Sequence, residues 1–97
     1  MTTCPAIAFD DVQSCPWCQG LIAREHFARE HLADSLLGDH LITYLYCESC
    51  DAGLETLWAM HGTRLSEQFS IEYRRARDVA KLERFLRHLS DARVEAA

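Results

Sequence analysis

The chain has 97 residues, with 15 acidic and 10 basic side chains and a net charge of −5. This length suits a single domain with a modest core, and the acidity argues against a surface that grips phosphate throughout. There is no basic start followed by an apolar run and no membrane-length apolar stretch, so the expected setting is a reducing cytoplasm, with no membrane partner.

The first 14 residues hold Ala6-Ile7-Ala8-Phe9 and then Asp10-Asp11, which read as an extended arm or short edge strand. Cys4 reads as a spare thiol in a fraying terminus. Next comes Cys15-Pro16-Trp17-Cys18, a short hook able to turn two sulfurs toward one point, with Gly20 placed to let the chain fold back. From residue 21 to 37 there is neither Pro nor Gly, and Ala28, Leu32 and Leu36 recur every four residues, which predicts a helix stopping at Gly38. Within it, Ala23-Arg24-Glu25-His26-Phe27 is echoed by Ala28-Arg29-Glu30-His31-Leu32, a five-residue period that fits neither helix nor strand.

Leu41 to Tyr46 is β-branched and aromatic and runs straight into a second hook, Cys47-Glu48-Ser49-Cys50, followed by Gly53. Residues 54–60 and 65–73 flank His61-Gly62-Thr63-Arg64 as the arms of a hairpin, the second alternating through Phe69, Ile71 and Tyr73. Arg74 to about Leu89 then reads as an amphipathic helix. Val79, Leu82, Leu86 and Leu89 form its apolar seam, flanked by Phe85, and Arg74, Arg77, Lys81, Arg84 and His88 lie opposite. The seam either packs on the chain's own sheet or pairs with a second copy as a homodimer.

Two Cys-x-x-Cys hooks separated by 28 residues form a four-thiolate ligand set, Cys15, Cys18, Cys47 and Cys50. Zinc, one ion per chain, is the expected cofactor. Four protein thiolates close the coordination sphere, so the site implies structure and no catalysis. In so small a chain the ion would act as a staple, since zinc binding supplies about 10–16 kcal/mol of apparent free energy in comparable small fingers. His26, His31, His40 and His61 are runner-up ligands, as is Cys4. Cys15, Cys18, His26 and His31 alone would make a two-Cys two-His finger, but seven residues between thiol and imidazole are too few for its hairpin.

The four cysteines, with Pro16 inside the first hook, resemble the zinc-ribbon superfamily over residues 13–73. That resemblance implies two knuckles clasping one ion above a three-stranded antiparallel sheet, and a role in binding protein or nucleic acid. The family commonly places Gly directly after the second cysteine of a knuckle, where this chain has Gln19. Rubredoxin-like iron carriers share the paired hooks, and the thiolates would accept iron as readily. Cys15-Pro16-Trp17-Cys18 by itself looks like a glutaredoxin active site. Those proteins set a cis-proline opposite the dithiol, and no proline follows Pro16 here.

Charge is unevenly spread. Residues 1–73 hold three basic and eleven acidic side chains, whereas 74–97 hold seven basic and four acidic. A protein partner is therefore the first expectation; contact with DNA or RNA, if made, falls to Arg74, Arg77, Lys81 and Arg84 in the segment 74–88. Nine Arg against one Lys, with twelve Ala, suggest a GC-rich bacterial or phage coding sequence. The reading is a single α+β domain over 1–97: a three-stranded zinc-ribbon-like module at 13–73 with a helix between its knuckles, and an amphipathic helix at 74–91. Its expected role is that of a non-enzymatic adaptor or regulator.

Overall fold

The computed structural model describes residues 13–35 and 38–96. The arm at residues 1–12, Cys4, and Leu36 of the expected helix lie outside them. A two-stranded hairpin, β1 (Gln13–Ser14) and β2 (Leu21–Ile22), carries the first hook. A single 3-10 turn at Arg24–His26 leads into an antiparallel meander of β3 (Phe27–Ser35), β4 (Gly38–Cys47), β5 (Ala52–His61) and β6 (Arg64–Arg74), in that spatial order. One helix, α1 (Val79–Ala96), follows.

The α+β reading with a three-stranded ribbon and a helix between the knuckles is thus corrected: the sheet has four strands, and where a helix was expected between the hooks the chain forms β2 and β3. The helix-forming composition of residues 27–32 is overridden by the neighbouring strand. Phe27 to Leu32 pair residue by residue with Leu45 to His40 of β4, and propensity differences of a few tenths of a kcal/mol per residue do not compete with a complete ladder. Alternation then sends Ala28 and Glu30 to the face covered by α1, where Ala28 is buried and Glu30 accepts a 2.7 Å hydrogen bond from Tyr44 Oη.

β4 and the β5–β6 hairpin fall where the sequence places them, with Gly62, at φ 66°, in the turn. The helix starts later than expected. Arg74 closes β6, the chain turns through residues 75–77, and Asp78 caps α1 by accepting the Lys81 amide at 3.0 Å.

Two apolar clusters lie on opposite faces of the sheet. Under α1, Leu82, Phe85, Leu89 and Ala92 pack on Ala28 and Tyr44, with Ile42, Tyr46, Tyr73 and Leu86 around them. The seam is therefore spent within the chain. Leu82 and Leu89 are buried on its own sheet, while Val79 is left 46% exposed. Gly53 lets the helix approach: a Cβ there would run into the ring of Phe85, with Cδ2 at 2.7 Å. The second cluster, Cys15, Ile22 and Cys47 with Trp17, Leu45 and Cys50, joins the small hairpin to the thiol end of β4. No described helix is long and apolar enough to cross a membrane.

Candidate metal centre

Each hook is a tight turn whose amides face sulfur. In the first, the Cys15 amide donates to Gly20 O at 2.8 Å and the Gln19 amide to Cys15 O at 3.0 Å, closing the loop. Inside it the Trp17 and Cys18 amides point at Cys15 Sγ (3.3 and 3.4 Å), and the Gly20 amide points at Cys18 Sγ (3.4 Å). The positive φ needed to turn the chain falls not on Gly20 but on Gln19, at 66°. Asp51 takes the matching place after Cys50, at 51°. Both residues sit directly behind the second cysteine of a hook, in a left-handed conformation that favours glycine.

The hooks converge. Cys15 Sγ lies 3.7 Å from Cys50 Sγ and Cys18 Sγ lies 3.7 Å from Cys47 Sγ, and all four sulfurs are within 4.8 Å of one another. A tetrahedron with metal–sulfur bonds of about 2.3 Å has edges of about 3.8 Å, so these four thiols can hold a metal ion. Cys15 and Cys47 are buried, Cys50 is half-buried and Cys18 is exposed. Among the described residues this is the one cluster able to take a cation, and no histidine belongs to it. His26 stands edge-on to Tyr46, His31 lies 4.0 Å from Asp39, His40 meets Gly38 O, and His61 ends β5.

The thiols influence one another's ionisation. Burial opposes charge on Cys15, but the amides of Cys18 and Trp17 and the adjoining thiols outweigh it and bring it down to about 7. Burial raises Cys47, and burial together with hydrogen bonds to the other three sulfurs pushes Cys50 up to about 12. One thiolate, Cys15, forms readily, whereas Cys47 and Cys50 resist. A divalent cation would resolve the conflict by exchanging with the remaining protons.

Two braces that the sequence did not reveal fix the centre to the sheet. Asp51 accepts from Tyr46 Oη at 2.7 Å and from Arg75 Nε at 2.6 Å, which holds its carboxyl below the usual range. Arg75 also reaches Glu83 of α1 at 3.7 Å. On the first hook, Arg74 lies 4.7 Å over the Trp17 ring, and the Trp17 indole N–H and Arg74 both bond Glu72. An acid placed immediately after a hook cysteine, and paired arginines at the end of β6, were the available signals.

The expected nucleic-acid stripe is divided. Arg74 is committed to Trp17 and Glu72, and Arg77 lies in the turn before α1. Only Lys81 and Arg84 share the helix, both beside a cleft on the other face of the sheet.

Fold and site together define a small β-rich domain, a four-stranded meander with one covering helix and a four-cysteine centre at one end. No family model, curated protein or solved structure matches the chain, so the ribbon resemblance rests on the cysteine cluster alone.

Proposed function

We propose that the protein is a non-enzymatic zinc-binding adaptor or regulator in which Cys15, Cys18, Cys47 and Cys50 hold one Zn²⁺ and the rest of the surface contacts a protein partner. The observation that carries the metal reading is the convergence of four sulfurs within 4.8 Å of one another, with two edges of 3.7 Å supplied by two separate turns. Four thiolates leave no open position for water or substrate, which favours a structural clamp. The ion would anchor the β1–β2 hairpin to the end of β4.

Protein contact is favoured over nucleic acid because the chain is acidic and its basic residues are split between two faces. An iron carrier of the rubredoxin type would use the same sulfurs. Purification without chelators followed by native mass spectrometry separates the two: a colourless chain with one zinc supports the proposal, and a red, iron-loaded chain rejects it. The adaptor role is tested by affinity capture with the zinc-loaded protein against a Cys15→Ser, Cys47→Ser control. Failure to retain any protein beyond the control removes it.

A further inference from the structure

Helix α1 covers only part of its face of the sheet. Strands of 10 and 11 residues run for about 35 Å, whereas a helix shields a band of about 10 Å. Beyond Tyr73 and Phe85, the register brings Leu57 and Phe69 side by side on this face, with Ile71 next along β6. Phe69 is 55% and Ile71 42% exposed. Phe69 and Ile71 lie next to each other on one face, so they form a patch rather than scattered single residues.

Where this open floor meets the helix there is a cleft of about 530 Å³, floored by Ile71, Tyr73 and Phe85 and walled by Lys81, Arg84 and His88. In a chain of net charge −5, Lys81 and Arg84 give this wall two positive charges against the one carboxylate, Glu55, that lines it. Glu55 accepts from Tyr73 Oη at 2.8 Å, and His88 lies 3.9 Å from Glu30, which accepts from Tyr44 Oη at 2.7 Å. Lys81 has only Asp78, at 3.8 Å, and Arg84 has no ion-pair partner among the described residues. At the far end, the facing pair His61 and Arg64 adds further basic groups.

We infer that this shelf docks an acidic amphipathic helix of a partner protein, laid beside α1 with its apolar stripe on Phe69 and Ile71 and its carboxylates against Lys81 and Arg84. The inference rests on the adaptor reading and supplies the chemistry of its partner. Four strands span about 15 Å across the sheet, the length of roughly ten helical residues, so a second helix would complete the covering layer that α1 begins. Apolar contact supplies affinity, and the opposite charges set orientation and reject basic partners.

The test uses the full zinc-loaded chain and a fluorescein-labelled 15-residue peptide with Leu at helical spacing and Glu elsewhere, followed by anisotropy. Saturable one-to-one binding is expected, weakened at least tenfold by Lys81→Glu with Arg84→Glu, and similarly by Phe69→Ser, with circular dichroism and zinc content unchanged. The same peptide with Lys in place of Glu should not bind, nor should one broken by a central Pro. Equal binding of either control, or indifference to both sets of substitutions, overturns the inference. So does a dimer that Phe69→Ser converts to monomer in sedimentation, which would make a second copy the occupant. Oligonucleotide binding lost in Lys81→Glu with Arg84→Glu but kept in Phe69→Ser would make the shelf a phosphate surface and likewise overturn it. Capture of proteins by the zinc-loaded chain that survives all three substitutions refutes the shelf while leaving the adaptor reading intact.

Discussion

Replacing Gly53 by Ala tests whether α1 presses on β5 as tightly as described. A Cβ at this position would overlap the Phe85 ring, whose Cδ2 and Cζ would lie 2.7 and 3.0 Å away. Phe85 cannot swing clear, because it is stacked on Tyr73 at 4.7 Å between ring centroids and is almost fully buried. Two effects compete. Ala removes the entropic penalty of a strand glycine, worth about 0.5–1 kcal/mol in its favour. Forcing a methyl into a packed contact costs about 1–3 kcal/mol. Overpacking prevails, leaving a net loss of about 1–2 kcal/mol, or a fall in Tm of about 5–15 °C for a domain of this size. Thermal denaturation of the zinc-loaded protein by circular dichroism reads the shift. Phe85→Leu in the same background should restore part of the loss relative to Phe85→Leu alone, as a coupled pair must. An unchanged or higher Tm for Gly53→Ala would refute the close approach of helix and strand.

Gln19→Gly should raise stability by up to about 1 kcal/mol, since it relieves a left-handed non-glycine residue with no long-range contact to lose; urea denaturation measures it. Asp51→Gly should destabilise despite the same φ relief, because it forfeits the Tyr46 and Arg75 bonds, and the contrast in urea midpoint between the two variants is the check. The Asp51 carboxyl is held below its ordinary 3.8 first by Tyr46 and then by Arg75, so its contribution to stability is complete above that pH and disappears as pH falls through the lowered value. Asp51→Asn should accordingly flatten the acid limb of the stability curve below about pH 4. Leu82→Ala, at a site with no exposed surface, should cost about 2–5 kcal/mol by equilibrium unfolding without lowering zinc content. Stripping the ion with a strong chelator should detach the β1–β2 hairpin, seen as altered Trp17 emission and rapid amide exchange over residues 13–22, and a chain indifferent to chelation would contradict the clamp.

Much of this was legible locally. The two hooks, β4 and the β5–β6 hairpin each carry their signal within ten or so residues: cysteine spacing, a β-branched aromatic run, and a glycine turn between alternating arms. β3 carries none. Ala28, Arg29, Glu30 and Leu32 are good helix formers, and the residues that make the segment a strand lie in β4, where Tyr44 supplies both the backbone partner of Ala28 and the hydroxyl that binds Glu30. The five-residue echo has no counterpart in the structure, as its period implied, because an odd shift reverses which face a side chain occupies along a strand. At the metal centre the four thiols were visible from spacing. The strained Gln19 and Asp51 were hidden because their φ values are imposed by the turns, and Gly20, the more obvious hinge, instead gives its amide to Cys18 sulfur.

The two apolar clusters, set back to back across a single layer of strands, divide the labour of the molecule. Repacking under α1 can proceed without disturbing the thiol end, and loss of the ion need not melt the helix side. β4 itself carries residues of both clusters, Tyr44 and Tyr46 on one face and Leu45 and Cys47 on the other. A side-chain link also runs from Asp51, next to Cys50, through Arg75 to Glu83, tying the thiol end to the helix that walls the open shelf.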